Sequence, residues 1–180
     1  MSGPSAMPLA AVIVMGVAGA GKTTIAEALA RRLKFTYRDG DDFHPLSNIE
    51  KMRAGLPLTD QDRAPWLAAI AGAIDRAAEM KAPVVIACSA LKRRYRDALV
   101  HGRNDVRFIY LKGSKKLIAD RMAARQDHFM PPSLLDSQFA TLEEPAADEP
   151  IITMSIDRPV ERIVNDILDQ LTTALDGTSA

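Results

Sequence analysis

The chain has 180 residues, of which 47% are hydrophobic and 26% are charged, a composition typical of ordinary globular proteins. Its 23 basic residues balance 23 acidic ones, so the sequence lacks the basic excess of a general nucleic-acid-binding protein, and we predict no nucleic-acid partner. The length accommodates one domain with a full hydrophobic core.

The predicted elements begin after a short N-terminal segment, 1–8, that lacks the basic region of a signal peptide. The apolar run Leu9–Val17 is too short to span a bilayer. The single cysteine, Cys88, cannot form a disulfide within the chain, which is typical of a reducing compartment. We therefore predict a cytoplasmic protein without a membrane partner, with one domain over 9–175 and flexible termini at 1–8 and 176–180.

Apolar periodicity predicts strands and helices in alternation. In chain order these are a strand over Leu9–Met15, a helix over Lys22–Leu33, a strand over Phe35–Arg38, a short helix opened by a capping box at Ser47–Glu50, a helix from Thr59 to about Ala82, a strand over Val84–Ala87, a helix over Lys92–Val100, a strand over Val106–Leu111, a helix around Leu117–Met122, a helix over Ser133–Leu142, a strand over Ile151–Ile156 and a helix over Val160–Leu171. This alternation predicts an α/β fold with a parallel sheet covered on both faces. The long helical stretch between the second and third strands predicts an insertion at about 44–81.

The segment Gly16–Thr23, called the P-loop below, matches G-x-x-x-x-G-K-[ST] between a predicted buried strand and a predicted helix. Its glycines allow a tight turn whose N–H groups point at phosphate oxygens, and the helix N-terminus adds positive potential. Lys22 would reach the β- and γ-phosphates, and the Thr23 hydroxyl would bind Mg²⁺. We predict that ATP is bound by Gly16, Ala18, Gly19, Ala20, Gly21, Lys22, Thr23 and Thr24.

The P-loop occurs in several classes of protein, and the rest of the sequence narrows them. The chain contains no Asp-x-x-Gly switch and no Asn-Lys-x-Asp base-reading segment, so it is not a GTPase. Its length leaves no room for a large motor or transporter ATPase. A short P-loop chain with a helical insertion is typical of phosphoryl transfer to a small acceptor. A non-catalytic protein that senses ATP is the alternative from another class.

Acidic side chains follow the second predicted strand, in the segment Asp39–Asp42, called the acidic turn below. In a wound α/β sheet that end of a strand lines the ligand crevice. One carboxylate could hold a Mg²⁺-bound water, and another could orient and deprotonate an acceptor hydroxyl. Ser89 closes the next buried strand at the same edge of the sheet.

Basic side chains occur at two further places that could face this crevice. In the run Lys92–Arg96, one or two cations could hold an anionic acceptor. Arg121 and Arg125 share a helix face and precede a polar loop, so they could close over ATP as part of a lid at about 121–134. His128 lies in that loop and is either an acceptor contact or only a loop histidine.

Motifs along nearly the whole chain, from about Leu9 to about Leu171, resemble gluconokinases. The most specific of them lie between Asn48 and Leu67 and between Cys88 and Lys92. The segments that carry the resemblance are Met15–Thr23, Asp39–Asp41, His44–Pro45, Asn48–Met52, Gly55–Leu58, Asp60–Leu67, Cys88–Lys92, Tyr95–Asp97, Phe108–Gly113, Ala124–Phe129 and Gln138–Pro145.

The resemblance to gluconokinases implies a three-layer α/β/α P-loop NTPase fold like that of nucleoside-monophosphate kinases, with a five-stranded parallel sheet, an acceptor-binding insertion and a lid. It implies that ATP and D-gluconate react to give ADP and 6-phospho-D-gluconate, with Mg²⁺ as cofactor. It also suggests a homodimer. The nearest alternative on the same fold is a shikimate or nucleotide kinase, against which the segments Asp60–Leu67 and Cys88–Lys92 speak.

The resemblance also implies roles for single residues. Asp41 would be the base and Asp39 the magnesium-water ligand, with Lys22 and Arg125 as further catalytic residues. Gluconate and its carboxylate would be bound by Asp41, His44, Arg63, Ser89, Lys92, Arg96 and His128, and the lid would supply Arg121 and Arg125 to ATP. Asp42 stands where the family often has an apolar residue, so the choice of base within the acidic turn stays open.

Overall fold

A computed structural model describes residues 8–125 and 132–176. The strands are β1 (Ala11–Met15), β2 (Thr36–Asp39), β3 (Val84–Ala87), β4 (Val106–Lys112) and β5 (Ile151–Ser155). The helices are α1 (Lys22–Leu33), α2 (Leu46–Arg53), α3 (Asp60–Glu79), α4 (Arg93–Val100), α5 (Lys115–Ala123), α6 (Pro132–Thr141) and α7 (Val160–Asp176), with a 3₁₀ turn over Gly40–Phe43. Among the described residues, no helix is both long enough and apolar enough to cross a membrane.

Within the described residues, the strands form one parallel sheet in the order β2-β3-β1-β4-β5. The register pairs Ala87 with Asp39 on one side and with Val14 on the other. Because all strands run the same way, the P-loop, the acidic turn and Ser89 follow their strands at one edge of the sheet. The predicted five-stranded parallel sheet is therefore confirmed.

The sheet separates two hydrophobic layers, which follows from the alternation of side chains along each strand. Val12 and Val14 of β1 face the layer that contains α1 and α7, whereas Ile13 and Met15 face α3 and α4. Every residue of β1 is buried, as its continuous apolar sequence predicts for a central parallel strand. The three-layer arrangement of helix, sheet and helix is thus confirmed.

Of the two helix starts predicted in the insertion, one is correct and the other is misplaced. Thr59 and Asp62 form the expected capping box at the start of α3, each side chain accepting from the other's backbone N–H. The box predicted at Ser47 is wrong: α2 begins at Leu46 with Pro45 before it, so Ser47 lies inside the first turn. A proline fixes the backbone for a helix start without a side-chain cap.

Candidate active site

The P-loop needs glycine for two different reasons. Gly19 and Gly21 have φ values of 81° and 92°, a left-handed conformation that side chains with a Cβ disfavour. A Cβ on Gly19 would also lie 2.7 Å from Met122 of α5, whereas one on Gly21 would meet nothing within 4 Å. The loop therefore turns tightly onto α1 and at the same time packs against α5.

Polar groups of the P-loop are bonded within the protein. The Lys22 ammonium donates to the carbonyl oxygens of Gly16 at 3.1 Å and Val17 at 2.9 Å. The N–H of Ala18 donates to the side-chain oxygen of Gln138 on α6 at 3.2 Å. Gln138 thus reaches the loop across 120 residues of sequence, a contact that no local pattern predicts.

The acidic turn is held by close packing at its glycine. A Cβ on Gly40 would lie 2.6 Å from the carbonyl oxygen of Ala87, so only glycine lets β2 end so near β3. The Gly40 carbonyl accepts a 2.7 Å hydrogen bond from the indole N–H of Trp66, which is buried. Asp39 accepts from the backbone N–H of Asp41 at 2.9 Å. These contacts fix the backbone of the turn and the direction of the Asp39 carboxylate.

Lys22 and Asp41 influence each other's charge across the crevice. Burial lowers the pKa of Lys22, and the negative charges of the acidic turn oppose this shift. Partial desolvation in the cleft raises the pKa of Asp41, and Asp39 adds to the increase, while His44 and Lys22 oppose it. The Asp41 side chain is 86% exposed, so solvent screens much of this effect. A carboxylate with a raised pKa and a cation thus lie near enough to affect each other's charge.

His44 is packed and oriented by two neighbours from the predicted insertion. Its ring stacks on Trp66 with centroids 4.5 Å apart and planes 12° apart. Its Nδ1 lies 3.2 Å from the side-chain nitrogen of Asn48, and its Nε2 lies 3.9 Å from an Asp41 oxygen. His44 therefore lies beside the acidic turn.

Two of the predicted acceptor cations meet around one tyrosine. The Arg63 guanidinium lies 5.6 Å and the Lys92 ammonium 5.7 Å from the centre of the Tyr95 ring. Arg63 donates to the carbonyl of Leu58 at 2.6 Å, and Lys92 to an Asp60 oxygen at 3.3 Å. The cluster joins the start of α3 to the start of α4 and presents two cations where an anionic acceptor could bind.

Arg96 does not fit the acceptor role expected for it. Its guanidinium is 2% exposed and donates twice to the Glu149 carboxylate, at 2.7 and 2.8 Å. It also donates to the carbonyl oxygens of Ala90 and Leu91. Arg96 thus ties α4 to the segment before β5. Its donors are directed at groups of the protein itself and are not available to an acceptor.

The predicted lid is described only in part. Arg121 donates to the carbonyl of Ile156 at 2.7 Å, which directs it toward the loop after β5. Arg125 is exposed at the end of the described residues that follow α5. His128 lies outside the described residues.

The side chains near Thr23 are of the chemical type that binds Mg²⁺. Thr23 and Asp39 offer oxygen atoms, which this cation prefers, and it retains several waters in sites of this type. Within the part of the chain that the structure describes, no group meets the geometry of a hydrogen bond with the buried Tyr37 hydroxyl. Burial raises the pKa of Tyr37 and Asp39 adds to the increase, while hydrogen bonding to the nearby Thr23 side chain opposes it. No cluster of three metal-binding side chains occurs in 8–125 or 132–176.

Several residues of this site were not predicted from the sequence. The helical spacing of Trp66 with Ile70 and Ile74 indicates only one face of a helix, and the N–H bond of Trp66 to the acidic turn has no local signal. Asn48 was read as part of a cap at Ser47, although a buried polar residue in a short helix signals a partner. Gln138 and Asp60 belong to the resemblance motifs, which gave them no role.

The parallel order of the strands, the P-loop and the facing acids define a P-loop kinase, which transfers phosphate from ATP to a hydroxyl group. A family model described as an AAA domain matches residues 12–145. The gluconokinase of Gluconobacter oxydans is 44% identical over 157 residues, covering 87% of this chain and 88% of that protein. The thermoresistant gluconokinase of Escherichia coli is 44% identical over 153 residues, covering 84% and 87%. The crystal structure of a gluconokinase from Sinorhizobium meliloti superimposes with a TM-score of 0.86 at 41% identity, covering 97% and 98%. The chain belongs to the gluconokinase family.

Proposed function

We propose that the chain transfers the γ-phosphoryl group of ATP to the 6-hydroxyl of D-gluconate, giving ADP and 6-phospho-D-gluconate. The observation that carries this proposal is that β1 and β2 end at the same edge of the parallel sheet, which brings the P-loop with Lys22 and the acidic turn with Asp41 to one edge. A phosphoryl transfer needs a cation on the donor and a base on the acceptor at such a place. The names of the relatives supply the acceptor.

In the proposed reaction, Asp41 takes the proton of the acceptor hydroxyl as its oxygen bonds to the γ-phosphorus. The bond from that phosphorus to the bridging oxygen breaks, and ADP leaves with the electron pair. Lys22, with the N–H groups of the P-loop from Gly16 to Thr24, holds the phosphates. Thr23 and, through water, Asp39 would hold Mg²⁺, which would supply further neutralisation of phosphate charge.

The acceptor's carboxylate is proposed to bind between Arg63 and Lys92. Both cations lie beside Tyr95, and a bidentate guanidinium matches the geometry of a carboxylate. His44 and Ser89 would contact acceptor hydroxyls from the acidic turn and from the end of β3. We leave Arg96 out of this set because Glu149 already occupies its guanidinium.

Arg121 and Arg125 are proposed to contact the phosphates of ATP, with His128 as a further acceptor contact. The homodimer, the cytoplasmic location and the division into a domain over 9–175 with an insertion at 44–81 remain proposals from the sequence and its resemblance.

A substrate panel tests the proposal directly. Purified protein is given ATP, Mg²⁺ and one acceptor at a time from D-gluconate, other sugar acids, shikimate and nucleoside monophosphates, and ADP release is measured. We expect turnover with gluconate far above the others, and none for a Lys22→Ala variant. Turnover with shikimate or a nucleotide and none with gluconate would reject the assignment. ATP binding without turnover on any acceptor would favour a sensor.

A further inference from the structure

Asn48 is a buried polar residue whose side-chain nitrogen has two partners. Asn48 is 2% exposed, and its amide nitrogen lies 2.9 Å from the backbone carbonyl oxygen of Asp62 and 3.2 Å from His44 Nδ1. The atom beside the carbonyl must be the nitrogen, because two carbonyl oxygens do not approach so closely without a proton between them. The orientation of the amide is therefore set by the backbone.

Both hydrogens of that amide group are then assigned. One is donated to Asp62, so the other points at His44 Nδ1. A neutral imidazole has one N–H and one acceptor nitrogen, and an N–H on Nδ1 would place two donors face to face. His44 must accept at Nδ1 and carry its proton on Nε2.

The Asp62 carbonyl is itself held independently of His44. The Asp62 carboxylate accepts from the Lys51 ammonium at 2.8 and 2.9 Å and from the backbone N–H of Thr59 at 2.9 Å. These bonds hold the pKa of Asp62 at about 2, led by the one from Lys51, so its charge persists at any pH of interest. The anchor of Asn48 thus stays in place when the surroundings of His44 change.

The groups around His44 favour its neutral form. Burial against Trp66 and the neighbouring backbone lowers the pKa of His44, and Arg63 on α3 acts in the same direction, while Asp41 opposes them. The Nε2 atom lies 3.9 Å from Asp41, too far for a direct hydrogen bond and close enough for both to contact one hydroxyl or water between them.

We propose that Asn48 is a positioning residue that holds His44 in its Nε2–H tautomer, so that His44 presents a hydrogen-bond donor beside Asp41. In this arrangement His44 donates to the oxygen that Asp41 deprotonates and orients its lone pairs. It does not act as a second base. The part that concerns the acceptor hydroxyl rests on the proposed function, and the tautomer itself does not.

The tautomer is read first in the unaltered protein. The chain has three histidines, so the ring nitrogens of His44 can be followed by long-range ¹H–¹⁵N NMR and assigned by their loss in a His44→Gln variant. Near neutral pH we expect a protonated Nε2 and an unprotonated Nδ1. An Nδ1–H tautomer, or a positively charged ring, overturns the proposal whatever the enzyme turns over.

Variants of Asn48 and a matched control then test the positioning role. Asn48→Ala should give mixed tautomers, raise the pKa of His44 and lower kcat/KM for gluconate about tenfold, the value of roughly one hydrogen bond, with KM for ATP unchanged. Lys51→Ala weakens the same α2–α3 contact without touching His44, and because the capping box with Thr59 still holds Asp62, it should keep the tautomer and most of the activity. Equal losses in the two variants would make Asn48 merely structural and overturn the role. Asn48→Ser serves the same comparison if the alanine variant does not fold.

Substitutions of His44 separate a donor from a base. A glutamine amide can donate from near the position of Nε2 but cannot take up a proton at neutral pH. We expect His44→Gln to retain several-fold more activity than His44→Ala, and equal loss in both would contradict the donor role. If gluconate is not turned over at all while NMR gives the Nε2–H form, the proposed function fails and the assignment of the tautomer by Asn48 stands.

Discussion

The imidazole of His44 lies flat against the indole of Trp66, with 4.5 Å between the ring centres. The same indole donates its N–H to the carbonyl of Gly40, between Asp39 and Asp41. One side chain of α3 therefore holds both the acidic turn and the histidine beside it.

Replacing Trp66 with phenylalanine should separate these two contacts. The smaller ring can still stack on His44, but the buried Gly40 carbonyl loses its donor, which costs about 1–3 kcal/mol of unfolding free energy. We expect kcat to fall about tenfold while ATP affinity stays the same, as measured by steady-state kinetics and calorimetry. Tyr110→Phe, which loses one bond to Glu144 elsewhere on this face of the sheet, is the control. Equal loss of turnover in both variants would contradict the role of Trp66.

The identity of the base is tested by two neighbouring substitutions. Asp41→Asn should keep ATP binding and lower kcat by about 100-fold or more, the usual contribution of a general base. Asp42→Asn should lower kcat by less than about threefold, because the free energy lost should not exceed that of one weak hydrogen bond. The readouts are ADP release and binding of a non-hydrolysable ATP analogue. The opposite order of effects would move the base to Asp42.

The cations around Tyr95 should act on the acceptor alone. Arg63→Ala and Lys92→Ala are each expected to raise KM for gluconate about tenfold or more, since a hydrogen bond to a charged group contributes about 1.5–3 kcal/mol. KM for ATP should not change. Arg93→Ala is the control, because Arg93 is an exposed cation at the start of α4, next to Lys92, and pairs with Asp148. An unchanged KM for gluconate in both test variants would place the carboxylate elsewhere.

Arg96 and Glu149 should matter for stability and not for the acceptor. The bond from Arg96 lowers the pKa of Glu149, so this pair stabilises the fold above the ordinary pKa of a glutamate. That stability is lost as the pH falls through the lowered pKa of Glu149. Glu149→Gln leaves a buried unpaired cation and should cost about 3–5 kcal/mol in urea unfolding at neutral pH.

The double variant Arg96→Met/Glu149→Leu removes both charges of that buried pair. It should lie closer to the parent protein in stability than Glu149→Gln does, and it should lose part of the acid sensitivity. A normal KM for gluconate in the double variant is expected. A large increase in that KM would restore Arg96 to the acceptor site.

Removing the Tyr37 hydroxyl should stabilise the fold, unlike the other substitutions proposed above. Because the hydroxyl is buried and no described residue lies in hydrogen-bonding geometry with it, Tyr37→Phe should raise the unfolding free energy by about 1 kcal/mol in the absence of nucleotide. Tyr110→Phe loses a bonded hydroxyl and should lower it. Destabilisation by Tyr37→Phe would mean that the hydroxyl has a partner, for which Thr23 is the nearest candidate.

Most of the fold follows from the sequence because its signals are local. The continuous apolar run of β1 and the spacing of Ile25 and Leu29 on α1 record burial directly, and the glycines of the P-loop record backbone conformation. The helix start at Pro45 was missed because Ser47 imitates a cap. A proline before the helix fixes the backbone dihedral for a helix start without a side-chain cap.

The site was predicted less completely, because contacts between distant segments leave no periodic signal. Motifs at strand ends predict Lys22, Asp39 and Asp41, and the resemblance to gluconokinases adds His44. Arg96 was placed in the acceptor site by its position in a basic run, and only its contact with Glu149 corrects this. A sequence gives the charge of a side chain but not the charge of the partner that already neutralises it.

The P-loop of this chain has internal partners for groups that phosphate would use. Ala18 donates to Gln138, and Lys22 donates to two carbonyl oxygens of the loop itself. A triphosphate entering the loop therefore competes with these partners, and its binding exchanges existing hydrogen bonds for new ones. When ADP departs, the same partners can return, so the loop keeps its shape between successive rounds of turnover without help from a ligand.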